Sequence, residues 1–159
     1  MSAPIQRSSL TAHLVHYLVE ALEPSGVLVG RGSAPKDGGW TDGQPGQGTF
    51  TPYVTVKARP ATPRIPDPVG RSRISWQCAY ILTYTGYKES SCDDTADFGR
   101  AVVVDFSRDS PLMLGGVKWM VEKVDVPRLG ATGRNDSTNP PFWDVSDDVS
   151  LWVSQSRTP

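Results

Sequence analysis

From Ile74 to Thr85 the chain alternates without a break. Ile74, Trp76, Cys78, Tyr80, Leu82 and Tyr84 fall on one set of positions; Gln77, Ala79, Ile81, Thr83 and Thr85 fall on the other. A period of two belongs to a strand, because successive side chains leave opposite faces. Both faces carry apolar groups, so this strand belongs well inside a sheet. Gly86 marks a turn, and Ser91–Phe106 then predicts a helix capped at Ser91. Asp93 and Asp94 suit its positive end. Thr95, Phe98, Gly99, Val102 and Phe106 recur at intervals of three or four and form its buried face. Gly99 on that face permits close approach to the sheet. The β-branched run Val102-Val103-Val104 suits a strand as well, but the periodicity favours helix.

The remaining segments must cover or extend that strand. Ser8 and Ser9 are candidate caps for a first helix running to about Leu22. Leu10, Leu14, Leu18 and Leu22 make its stripe, widened by Val15 and Val19. Glu23-Pro24-Ser25-Gly26 ends it, since Pro24 forces its predecessor out of helical geometry, and Val27–Val29 suggests a short strand. The polar, glycine-rich stretch 30–48 has no periodicity and reads as a long loop. Trp40 in its middle needs a docking place, on its own domain or on a neighbour. Phe50–Arg59 alternates as a strand, with Val54 and Val56 on one face and Tyr53, Thr55 and Lys57 on the other. Pro60, Pro63, Pro66 and Pro68 hold an extended connection; their spacing also resembles a polyproline ligand. Ser110-Pro111 opens a loop closed by Gly115-Gly116, and Val117–Val126 alternates, with Val117, Trp119 and Val121 together. Residues 129–141 form a second polar loop. The last strand is Phe142–Ser154, with a bulge expected at Ser146-Asp147-Asp148. Segregated elements of this kind imply an α+β fold: an antiparallel or mixed sheet of about four to six strands, two helices packed on one face, and long Gly/Pro-rich loops.

At 159 residues one domain is expected, spanning 1–159. Fourteen Pro and fifteen Gly favour long irregular connections. A net charge of −1 gives no global drive toward nucleic acid or anionic membrane. The N-terminus lacks the layout of a signal peptide, and no apolar run reaches the length of a membrane span, so synthesis in a cytoplasm is expected. Reaction motifs are missing. His13 and His16 lack the further ligands zinc requires. Asp93, Asp94 and Asp97 lack calcium-loop spacing. The stretch from Gly43 to Gly48 is neither a P-loop nor a dinucleotide fingerprint. There is no nucleophile elbow, and Asp147-Asp148 reads as a surface pair. Cys78 reads as a buried thiol and Cys92 as a surface one. No enzyme activity, cofactor or metal is expected. Arg59, Arg64, Arg71 and Arg73 cluster around the prolines, where a phosphate backbone, an acidic neighbour or plain solvent would suit them.

The run Trp76–Gly86, a polar link, a helix holding Thr95-Ala-Asp-Phe-Gly-Arg-Ala, a valine-rich strand, a Gly-rich loop and a closing strand with Trp152 resemble the tail terminator proteins of long-tailed, siphovirus-type bacteriophages. The opening helix and the strand after Gly26 match the same plan. The resemblance implies a structural virion protein, located at the neck end of the tail and assembled in the host cytoplasm. It implies a six-membered ring of this chain that caps the tail tube and ends its polymerisation. The partners implied are further copies of itself, the major tail tube protein and the head–tail connector or head completion protein. Genomic DNA would pass without specific binding, and no membrane is involved. Arg31, Lys36, Trp40, Arg59, Arg64, Arg71, Arg128 and Arg134 are the candidate contacts with subunits or partners. The alternatives are another neck or tail-completion protein, or a small binding module using Arg59–Arg73.

Overall fold

A computed structural model of the protein describes residues 5–41, 48–64, 75–109 and 111–155. Helix α1 is Arg7–Leu22, prolonged by a 3-10 turn over Glu23–Ser25 and stopped by Gly26 at φ 85°. Leu10, Leu14, Leu18 and Leu22 are all essentially inaccessible to solvent, as their spacing requires. The expected serine caps are not used. The helix starts at Arg7, so Ser8 and Ser9 fall inside its first turn, and Gln6 stands at the cap position without a side-chain bond. Ser9 Oγ donates to Gln6 Oε1 instead, while the Ser8 carbonyl and hydroxyl accept from Arg31 Nη2.

Strands β1 (Leu28–Arg31), β4 (Tyr53–Ala58), β6 (Ser75–Gly86), β10 (Phe142–Gln155), β8 (Val117–Arg128) and β7 (Leu112–Leu114) lie side by side in that order. Two short strands extend the sheet: β5 (Thr62–Arg64) pairs with β6, and β9 (Gly133–Asn135) pairs with β10. Strand β1 runs parallel to β4 and every other pairing is antiparallel. The longest ladder joins β6 to β10, from Trp143 opposite Gly86 to Ser154 opposite Ser75. The alternating run is thus the third strand of six, inside the sheet as its two apolar faces require. Strands β2 (Gly39–Thr41) and β3 (Thr49–Thr51) form a separate two-stranded sheet. Several stretches expected as loops therefore hold short strands: β2 within 30–48, β5 within the proline-rich connection, β7 before Gly115-Gly116 and β9 within 129–141. Each is only three residues long, too short for a local period to announce it.

Helix α2 spans Glu89–Val103 and passes into a 3-10 segment over Val104–Asp109. It begins before Ser91, whose hydroxyl donates to the Lys88 carbonyl and caps nothing. Cys92 lies a turn further in than expected and faces the sheet; it is fully buried, not a surface thiol. A Cβ at Gly86 would stand 2.5 Å from the Cys92 nitrogen, so the strand end and the helix start touch backbone to backbone. Both helices cover the same face. Tyr80 meets Thr11 of α1, and Tyr84 meets Gly99 of α2. The sheet also curls around α1. Arg31 of β1 bonds to Ser8, and His13 Nε2 lies 3.3 Å from the Met113 carbonyl of β7, so one helix touches the first and last strands of six. Against β6 the register of β10 is continuous through 143–154; its irregularities face β8, after Asp148 and after Trp152 rather than at Ser146–Asp148.

Candidate contact surface

Period two leaves a second face to β4, β6 and β10, and no described helix covers it. Tyr53, Thr55 and Lys57 stand there opposite Thr85, Thr83 and Ile81. Asp144 and Ser146 continue the rows, and the Thr83 and Ser146 hydroxyls are 2.8 Å apart. A trough of about 310 Å³ runs over Tyr53, Thr55, Lys57, Thr83, Thr85 and Asp144, walled by the turn at Gly32–Ala34 and by Asn135 and Phe142. Asn135 Nδ2 donates to Asp144 Oδ2 at 2.9 Å, which ties β9 to the trough floor. The turn after β1 folds back tightly. A Cβ at Gly30 would lie 2.1 Å from the Ser33 carbonyl oxygen, so only glycine fits beneath it.

Beside the trough lies an aromatic pocket of about 270 Å³, sharing Tyr53 and Phe142 with it. Trp40 of β2 and Phe50 of β3 are directly paired, with ring centroids 5.2 Å apart and planes nearly perpendicular. Phe50 continues to Tyr87 at 6.2 Å, and Lys88 Nζ stands 5.2 Å from the Tyr87 ring centre. Trp40 therefore has the docking place its sequence context demanded, on its own chain. Its Nε1–H is buried and has no hydrogen-bond partner among the described residues.

The candidate contacts do not gather at one point. Lys36 is exposed on the turn leading to the pocket, and Trp40 lines it. Arg31 is committed to α1. Arg59 is exposed, 3.6 Å from Asp148 Oδ1, and Arg128 pairs in register with the same Asp148. Those two arginines thus flank one carboxylate on the helix-free face. Arg134 on β9 holds Asp136 at 2.7 Å. Arg64 ends β5 opposite Ser75, while Arg71 lies outside the described residues. Tyr53 was legible as the helix-free face of its strand, but Asn135, Phe142 and Asp144 had no local signal: their place follows from the pairing of β9 and β10.

Chemically the trough offers neutral hydroxyls, one ammonium and one carboxylate already accepting from Asn135. Among the described residues no group of three or more His, Cys, Asp or Glu is placed to hold a metal ion. His16 pairs with Glu20 at 3.0 Å on the exposed side of α1. The ionisable groups driven furthest from their usual behaviour lie under the helices instead. Burial pushes the Cys78 thiol up to about 11 and the Tyr80 phenol up to about 12. Burial, with Asp93 and Asp144 nearby, takes the Cys92 thiol up to about 12. These groups are held neutral within the core. No described helix is long and apolar enough to cross a membrane.

No family model matches the chain. No curated protein matches it either. Solved structures do match; one of them aligns over 96% of this chain and 94% of its own at 14% identity, with a TM-score of 0.38, and a likeness of that size supports no argument.

Proposed function

We propose that this protein is a structural, non-enzymatic subunit of a phage virion: a tail terminator that forms a ring on the finished tail tube, ends its growth and presents a surface to the head-side connector. The observation that carries the reading is the division between the two faces of the sheet. One face is consumed by α1 and α2. The other stays open as a shallow polar trough with an aromatic pocket at its rim, a surface suited to contact rather than reaction. The order of elements supports the same reading: helix, strands, the aromatic strand β6, helix, hairpin and closing strand β10. A ring needs two different complementary surfaces on each subunit, and the trough with its aromatic rim is a candidate for one of them. On this reading the ring sits at the neck, is assembled in the host cytoplasm, and lets DNA pass without holding it. The test is to purify the protein with and without its tail tube protein and measure mass and tube length. A six-subunit species on tube ends, with elongation stopped, is the expected result. Tubes that keep growing with no protein at their ends would refute it.

A further inference from the structure

We infer that the connection between β8 and β9 of one copy of this chain, led by Leu129, docks into the aromatic pocket of the next copy, so that copies join head to tail. Leu129 is the most exposed large apolar side chain among the described residues, at 59%. The backbone on either side of it is tied down. Arg128 pairs with Asp148, and the Gly130 N–H donates to Asp147 Oδ1 at 2.9 Å. A Cβ at Gly130 would stand 2.1 Å from the Ser146 carbonyl oxygen, so the chain presses onto β10 there. Thr132 donates its hydroxyl to Asp93 Oδ1 of α2. An apolar side chain left in water on a backbone so firmly held gives up little freedom on binding. Met113 and Met120, also exposed, belong to strands, and Val104 to the 3-10 segment after α2. Leu129 stands on a connection between strands, the shape that enters a concavity.

The pocket offers what this segment lacks. The rings of Trp40, Phe50, Tyr53 and Phe142 surround about 270 Å³, and Leu129 of the same chain is not among the lining residues. Charge is complementary as well. Arg128 stands opposite Asp148, but Arg59 already lies 3.6 Å from that carboxylate, and Arg128 makes no ion pair of its own among the described residues. Asp144 lies two residues past Phe142 on the same side of β10, where trough and pocket meet. Its Oδ2 accepts from Asn135, and its Oδ1 accepts from no described residue. Of the cations nearby, Lys57 lies four residues along β4 from Tyr53, Lys88 rests on the Tyr87 ring, and Lys36 adjoins Asp37 on the turn before the pocket. An incoming leucine therefore brings its neighbouring arginine to an open acceptor. Leu129 lies on the β8–β9 side of β10, and the pocket lies at the end of the sheet marked by Tyr53 and Phe142. Two different parts of the surface meet, so the contact is heterologous and closes into a ring or runs on as a filament. It deepens the ring reading by naming the surface that fills the aromatic rim, and it rests on that reading only for closure on a tube.

The test uses full-length protein and two variants: Leu129→Asp, which spoils the docking segment, and Trp40→Ala, which spoils the pocket. Leu129→Asp changes a side chain already in water and should melt at the wild-type temperature. Wild type should self-associate with rising concentration in analytical ultracentrifugation. Each variant alone should associate about tenfold or more weakly. Mixed, they should form a 1:1 dimer through the one intact pocket and the one intact leucine. Trp40→Phe, which keeps a ring in the wall, separates lost contact from a disturbed hairpin and should fall between wild type and Trp40→Ala. Arg128→Ala should weaken association less than Leu129→Asp, and its effect should shrink at high salt. A wild type that is monomeric at every concentration, a Leu129→Asp chain that associates normally, or a mixture without dimer would each overturn the contact. Six-subunit rings of Leu129→Asp on tube ends would overturn it too and leave the terminator reading standing; Leu129-dependent association with tubes left uncapped would do the reverse.

Discussion

Arg100 of α2 grips Asp147 of β10 with two parallel bonds, Nε to Oδ2 at 2.7 Å and Nη2 to Oδ1 at 2.8 Å. Asp147 is 1% exposed, and its Oδ1 also accepts from the Gly130 backbone N–H at 2.9 Å. The surface pair expected at Asp147-Asp148 is thus split. Asp147 stands opposite Leu82 on the helix-covered face, and Asp148 stands opposite Ile81 on the open one. The pairing holds the Arg100 guanidinium protonated well above its ordinary range, chiefly through the hydrogen bonds it donates to Asp147.

Asp147→Ala should therefore be costly. Breaking a fully buried pair costs about 3–5 kcal/mol, and the partial exposure of Arg100 places this case near about 2–3. Replacing both partners together, as Arg100→Met/Asp147→Leu, should cost less than Asp147→Ala alone, because no charge is left stranded. Urea denaturation of the two single variants and the double variant measures this. Additive losses would contradict it.

Gly99→Ala raises helix propensity by about 1 kcal/mol, yet it should destabilise the protein. An added Cβ would lie 2.2 Å from Cε1 and 2.9 Å from Cζ of Tyr84, whose ring is fully buried and has nowhere to retreat. Overpacking of this kind costs about 1–3 kcal/mol. Tyr84→Leu should suppress the penalty in the double variant, and a thermal melt of each chain reads the effect.

The hydroxyls of Thr11 and Tyr80 lie 3.1 Å apart, and Thr11 Oγ1 also lies 2.9 Å from the Arg7 carbonyl. Thr11 donates to that carbonyl, so the Tyr80 phenol donates to Thr11. Tyr80→Phe removes the donor and should cost about 1 kcal/mol. Thr11→Val strands the phenol in the core and should cost about twice as much. Equal losses in matched denaturation curves would remove this assignment of donor and acceptor.

Stability should fall between pH 9 and about 12. Unfolded thiols ionise from 9.0, whereas the native Cys78 and Cys92 hold their protons to about 11 and about 12 because burial disfavours the thiolate. Over that window the native state binds more protons than the unfolded state, so stability declines as pH rises; below pH 9 the contribution is fully present. Cys92→Ala should flatten the slope without moving its acid side. In the native protein at neutral pH neither thiol should react with iodoacetamide, and both should react in denaturant.

Much of the architecture was readable from residue order alone. The four-residue leucine repeat places α1, and the period of two from Ile74 onward places β6 inside the sheet; alternation in the outlying strands completes an α+β plan with two helices on one face. Those signals are local, because a buried stripe or face repeats within the element that carries it. Which distant residues lie opposite one another is not a local property. The curl of the sheet around α1, the burial of Asp147 and the meeting of Tyr53 with Phe142 depend on the pairing of segments far apart in the chain, while the three-residue strands β2, β5, β7 and β9 are too short to show a period. An aspartate in an alternating strand looks the same whether it faces water or Arg100, and only the register of β10 against β6 decides between them.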